Sequence, residues 1–196
     1  MNCKGHIVIG MAAAVALFPV IDIPIRMSTL ALAAIGSLIP DLDHPSSVLN
    51  QKILPINNKK TKKLVYGLIG SFVVVLNYIH YQMVALYILG IIIFLIGRSK
   101  HRGFTHSALG LFLFMLTIKL LTNDYGFIYE GWSFITGYFS HLFIDFFTEA
   151  GIAIFYPIES DHYGAPFRFK TGSVAEKIIC VLAMSVIGYK IWIMVS

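Results

Sequence analysis

The sequence predicts an all-α, polytopic helical membrane protein with about seven apolar helices, the shorter ones readable as half-spans. Three observations carry this. Of the 196 residues, 57% are hydrophobic and only 13% charged, whereas soluble domains sit near half apolar with about a quarter charged. Mean hydropathy is +0.77. The apolar residues also form continuous runs, not the alternating strands of about ten residues that a membrane barrel needs. Backbone inside lipid must satisfy its own hydrogen bonds, which a helix does.

Each element follows in order. His6–Ile21 is the first apolar stretch. A Lys precedes it, as in a signal peptide, but its alanines lie inside the run and no polar cleavage region follows, so it reads as an uncleaved span. Ser28–Pro40 is the second. Leu64–Gly97 is too long for one span of about 20 residues. The polar and aromatic break Asn77-Tyr78-Ile79-His80-Tyr81-Gln82 divides it into a hairpin, Leu64–His80 and Met83–Gly97. Ser107–Leu121, Gly131–Phe147 and Val174–Val195 complete the set. The whole chain, 1–196, reads as one membrane domain with cytoplasmic loops near 41–63, 98–106 and 148–173.

The net charge is +5, with a pI near 9.2. The charge concentrates in Lys59-Lys60-Thr61-Lys62-Lys63 and Arg98-Ser99-Lys100-His101-Arg102. Basic clusters beside apolar spans follow the positive-inside bias and suit anionic lipid headgroups, so no specific nucleic-acid binding is expected. Both loops are placed in the cytoplasm, in agreement with Lys4. Arg26 and Lys190 run against this orientation. Cys3 and Cys180 are the only cysteines and give neither a disulfide framework nor a cysteine metal motif.

Ligand-type residues gather at the ends of the apolar segments. This topology brings His6, Asp41, Asp43, His44, His101, His106, His141 and Asp145 to one level, the cytoplasmic boundary. His80 falls at the opposite face and reads as an interfacial residue. His141 and Asp145 stand at i, i+4, on one helix face, and His with carboxylate suits zinc, manganese or iron. An interhelical hydrogen bond is the plainer alternative, but ionisable residues within apolar segments are costly and usually functional. Pro40-Asp41-Leu42-Asp43-His44-Pro45 reads either as a helix-ending turn or as a stiffened ligand loop. In His101-Arg102-Gly103-Phe104-Thr105-His106-Ser107, His101 is expected in the loop and His106 at a helix start, with Thr105 or Ser107 near the N-cap. Gly103 would allow the turn. Arg102 could bind phosphate through its guanidinium fork, or the segment could simply dress the membrane surface. His6 alone is weak and gains weight from its depth. Arg168 and Lys170 could hold an anionic substrate or mark the inner boundary.

These segments, with Gly5-His6 and Gly137-Tyr138-Phe139-Ser140-His141-Leu142-Phe143-Ile144-Asp145, resemble the YdjM-type family of bacterial inner-membrane proteins. The resemblance covers nearly the whole chain and implies a metal-dependent hydrolase. That family is in turn distantly similar to the zinc-dependent phospholipase C and single-strand nuclease superfamily. By that similarity His141 and Asp145 match a His-x-x-x-Asp helix, Asp41 an early metal-contacting aspartate and His6 an early helical histidine. The superfamily's later His-x-x-x-Glu has no counterpart here, which argues for one or two metal ions over a three-metal cluster.

The resulting expectation is a membrane hydrolase of an ester or phosphoester, acting on an anionic substrate that could be a membrane lipid. It would hold a divalent metal, zinc first and manganese or iron as alternatives. His6, Asp41, His106, His141 and Asp145 are the first-choice ligands, with His44 and His101 behind them. Asp43 is the candidate general base and Asp41 the runner-up. Arg102, Arg168 and Lys170 are candidate substrate contacts. The second reading is a metal-binding transporter or scaffold; the apolar outer halves of the segments disfavour a permeation path. The oligomeric state is not legible.

Overall fold

A computed structural model describes the backbone of residues 1–195 and the side chains of all of these except 124, 194 and 195. It is all-helical. The α-helices are α1 (Cys3–Leu17), α2 (Met27–Gly36), the single turn α3 (Asn50–Ile53), α4 (Lys59–His80), α5 (Val84–Arg98), α6 (Ala108–Tyr125), α7 (Ile128–Phe146) and α8 (Val174–Val195). Short 3-10 turns at Pro40–Asp43 and Phe104–His106 carry the two ligand-rich motifs. Each of the seven apolar segments contains a helix.

The number of spans is corrected. Among the described residues, Cys3–Val20 and Lys59–His80 are long and apolar enough to cross a bilayer, and Val84–Arg98 and Ala108–Asn123 are apolar but shorter. Length explains part of this. With its 10 residues, α2 rises about 15 Å, half of a hydrocarbon core of about 30 Å. Composition explains more: α7 interrupts its apolar run with Glu130, Ser133, Thr136, His141 and Asp145.

The chain forms two compact units. The first comprises Met1–Ile39, Phe127–Ile152 and the chain from His162 onward. Here α1 packs against α2, α7 and α8, and α2 against α7. Ala14, Phe18, Ile23 and Ala33 form a buried apolar cluster. The α2–α7 crossing is close because two glycines permit it. A Cβ on Gly137 would land on the Ala33 carbonyl oxygen, and one on Gly36 on the Phe134 carbonyl oxygen. Small residues at such crossings let helix backbones approach where lipid gives no hydrophobic drive.

The second unit is Pro40–Gly126 with Ala153–Asp161. As expected, α4 and α5 form a hairpin. Asn77 holds its turn, donating from Nδ2 to the Met83 carbonyl at 2.9 Å and accepting from the Met83 amide at 3.0 Å. The predicted start of α4 at Leu64 moves back to Lys59, because Asn58 caps the helix by accepting from the Thr61 amide at 2.8 Å. Lys62 therefore belongs to the first turns of a helix. It is only 2% exposed. Its ammonium donates to the carbonyls of Asp43 (2.5 Å), Ile96 (3.0 Å) and Ser99 (2.8 Å). Two of these lie at the C-terminal end of α5, where carbonyls lack helical partners and a cation complements the helix dipole.

Candidate metal centre

In the first unit, helix ends assemble one cluster. His6 projects from the first turns of α1, and His141 and Asp145 from the last turns of α7. All three are buried. The two imidazoles stack, with centroids 3.6 Å apart and planes 11° from parallel. His6 Nε2 lies 3.4 Å from Asp145 Oδ1 and His141 Nε2 lies 3.7 Å from Oδ2. The Met1 nitrogen donates to Oδ1 at 2.9 Å.

Protonation states follow from the partners. His141 Nδ1 is 2.7 Å from the Ser37 carbonyl oxygen, at the C-terminal end of α2. A carbonyl can only accept, so Nδ1 carries a proton and Nε2 faces the carboxylate, as a lone pair in the neutral ring or as a second N–H in the imidazolium. His6 Nδ1 is buried without a hydrogen-bond partner. A buried polar atom left so is costly and calls for a functional account. The donor set of two imidazoles and a carboxylate is one that zinc and its neighbours accept, and His141 belongs to both groups of His and Asp that could hold a metal ion among the described residues.

In the second unit, a network is built around Asp43, which is 1% exposed. Oδ1 pairs with His101 Nδ1 at 2.9 Å. Oδ2 accepts from the Arg102 amide at 2.7 Å and the Thr105 hydroxyl at 2.8 Å, and lies 3.2 Å from His106 Nδ1. Burial alone would raise the Asp43 pKa. The charge of His106 and the hydrogen bonds of both imidazoles outweigh it and hold the carboxyl well below the usual range. A carboxylate that meets the Nδ1 edge of two imidazoles in this way fixes their ring orientation.

The local chain is shaped for this network. Gly103 was expected to supply the turn, but the left-handed residue is Arg102, at φ 62°. A bulky residue there is strained and characteristic of functional sites. Gly103 is needed for a different reason, since a Cβ would press on Ser99 Oγ at 2.9 Å and the Lys100 carbonyl at 3.0 Å. Ser107 is the N-cap of α6, accepting from the Gly110 amide at 3.0 Å, while Thr105 is committed to Asp43. Behind the Pro40–Pro45 motif, Asn50 donates to the carbonyls of Leu42 (2.9 Å) and His44 (2.6 Å) and accepts from the Tyr66 hydroxyl (2.7 Å).

The remaining candidates separate. Asp41 is half-buried on the Pro40–Asp43 turn. His44 packs edge-on against His101, centroids 4.6 Å apart. Its Nδ1 accepts from the Ser46 amide at 3.2 Å, the opposite tautomer to His101 and His106. Burial, and then the positive charge of His101, push its pKa down. Arg168 is exposed and donates to its own strap, to the Ala165 carbonyl (2.8 Å) and the Gly164 carbonyl (3.2 Å). Lys170 is exposed. His80 is exposed at the end of α4, some 27 Å along the helix from Lys62. Sequence reasoning missed Lys62, Asn50, Tyr66, Thr105 and the Ser37 carbonyl. The signal for Lys62 was helical spacing, since Lys62, Tyr66 and Gly70 form one buried i, i+4, i+8 stripe on α4.

The class so defined is an all-helical membrane protein with buried His/Asp groups at its helix ends. The chain belongs to the YdjM inner membrane protein family, whose model matches residues 1–195. It is 25% identical to the inner membrane protein YdjM of Escherichia coli (strain K12) over 212 residues, covering 98% of this chain and 82% of that protein. The YdjM protein of Shigella flexneri matches to the same extent. YvsG of Bacillus subtilis (strain 168) is 30% identical over 184 residues, covering 91% of this chain and 87% of that protein. An inner-membrane location follows from this membership. No solved structure matches the chain.

Proposed function

We propose that this protein is a multi-pass, metal-dependent hydrolase of an ester or phosphoester, with its metal centre at the cytoplasmic face of the inner membrane. The observation that carries the reading is the His6–His141–Asp145 cluster. There a carbonyl-fixed imidazole turns its Nε2 toward a buried carboxylate 3.7 Å away, beside a second stacked imidazole. In the neutral ring the Nε2 lone pair and the carboxylate face each other, an arrangement that a shared cation, metal ion or proton, stabilises. His6, His141 and Asp145 would hold a divalent ion, zinc by donor type, with manganese or iron as alternatives. Such an ion supplies Lewis acidity, activating water and polarising an ester or phosphoryl oxygen.

The other residues take roles their contacts support. Asp43 has both oxygens engaged, so it suits a positioning residue better than a general base. It holds the Nδ1 edges of His101 and His106, the position a carboxylate takes behind a ligating imidazole. Asp41, half-buried on the same turn, becomes the first choice for the base. Arg102, positioned by its strained backbone, is the candidate for recognising an anionic group. His44 becomes a neighbour of His101 in place of a ligand.

The near-complete burial of His6, His141 and Asp145 also supports a second reading, a closed structural metal site in a non-enzymatic protein. A catalytic site must keep a coordination position open. Hydrolysis of bis(p-nitrophenyl) phosphate and p-nitrophenyl esters by the purified full-length protein separates the two. The hydrolase reading expects metal-dependent turnover that His141→Ala and Asp145→Ala each abolish. Stoichiometric metal with no turnover on any ester would favour the structural reading, and turnover unchanged in these variants would reject the assignment.

A further inference from the structure

The first unit carries a cleft of about 440 Å³, within the range of small-molecule sites. Its wall is formed by Phe143 of α7, Phe147 just beyond that helix, Phe167 and Phe169 of the following strap, and Ile179 of α8, with Arg168 as the charged residue of the lining. Phe167 is 88% exposed and Phe143 55% exposed. The strap is firmly built. The Ala165 amide donates to the Phe146 carbonyl at 2.9 Å and the Phe169 amide to the Phe147 carbonyl at 3.0 Å, satisfying the last carbonyls of α7. These bonds set Phe167, Arg168 and Phe169 against the helix end that carries Asp145.

We propose that this cleft binds an anionic phospholipid, its acyl chain against the four phenylalanines and Ile179 and its phosphate on Arg168. An aromatic-lined, open groove in a membrane protein needs an apolar occupant. A single guanidinium, carried between Phe167 and Phe169 in the chain and lining the same cleft, makes the complementary ligand an amphiphile with a negative head. Arg168 is oriented for this by its bonds to the Ala165 and Gly164 carbonyls, which spend only part of its fork of donors. Guanidinium matches phosphate oxygens in geometry as well as charge. Binding at this cleft does not depend on a metal. That the bound lipid is also the hydrolysed substrate rests on the reading above.

The test uses full-length protein in nanodiscs of phosphatidylcholine containing a minor fraction of phosphatidylglycerol with an acyl-chain diazirine. After irradiation, labelled peptides are mapped by mass spectrometry. Label is expected to concentrate on 143–147 and 167–169. It should exceed the label from diazirine phosphatidylcholine by about fivefold, the value of one basic residue at an anionic headgroup. Arg168→Gln should reduce phosphatidylglycerol labelling to the phosphatidylcholine level. Ile179→Trp, which narrows the cleft from its wall, should lower both. Asp145→Ala should label as wild type, so loss of hydrolysis and loss of lipid are read separately. Label spread evenly over the apolar helices overturns the proposal. So does protection of the cleft peptides by a second copy of the chain, or labelling insensitive to Ile179→Trp.

Discussion

Lys62 and Asp43 show how a charged residue can be legible as charge and illegible as structure. The Lys59–Lys63 run reads as a basic membrane-side loop, and most of it is exposed. Lys62 instead points inward and ties the Asp43 turn to the end of α5. Removing its ammonium leaves carbonyls unsatisfied inside the unit, so Lys62→Met should cost roughly 3 kcal/mol or more, seen as a lowered thermal midpoint in detergent. Asp43 was legible as a candidate site residue, but its part in the structure depended on which atoms it meets. Asp43→Asn keeps the shape and removes the charge that faces His101 and His106. It should lower metal affinity or turnover by about 10- to 100-fold, read by metal titration. The pH dependence has a definite sign. The folded carboxyl titrates below its ordinary range, so the network's stabilisation is complete above the unfolded aspartate pKa of about 3.9. It is lost as pH falls below that value toward the folded pKa. Chemical unfolding followed from pH 7 to acid should show this loss in the wild type and a flatter curve in Asp43→Asn.

Element positions were largely written in hydropathy, and their ends were written in caps. All seven apolar stretches contain helices, and the Asn77 break is the α4–α5 turn because its amide pairs with Met83. Ser107 was visible as an N-cap, but the assignment of the left-handed turn residue was not, since Gly103 is demanded by crowding near Ser99 and Lys100 while Arg102 takes the strained φ. Span number was the least legible property. Apolar composition marks a segment as buried or lipid-facing without saying that it reaches across a bilayer, and α2 is half the needed length. The α2–α7 crossing ties packing to the site, because His141 lies one turn beyond Gly137 and bonds the end of α2 at Ser37. Gly137→Leu should force these helices apart, lowering thermal stability by several degrees and weakening metal retention in parallel. Unchanged stability and metal content would show that the crossing does not position His141.

The whole molecule is an inner-membrane protein of the YdjM family, with ligand-type groups at helix ends. Composition and family motifs were enough to reach that far. The pairing of each imidazole with its oxygen partner was not, because it depends on helix crossings that bring Ser37 to His141 and a turn that wraps four donors around Asp43. The proposed orientation is read from charge bias, and since Lys62 is a structural clamp, its exposed neighbours and the Arg98–Arg102 segment carry it. A reporter fused after Asn58, ahead of α4, should read cytoplasmic, and a periplasmic signal would reverse the proposed orientation. The central claim is the metal centre. Elemental analysis of the purified full-length protein, before and after supplementation with zinc, manganese or iron, tests it most directly. Stoichiometric retention in the wild type, lost in His141→Ala and Asp145→Ala, is the predicted result; no bound metal in the wild type even after supplementation would contradict it.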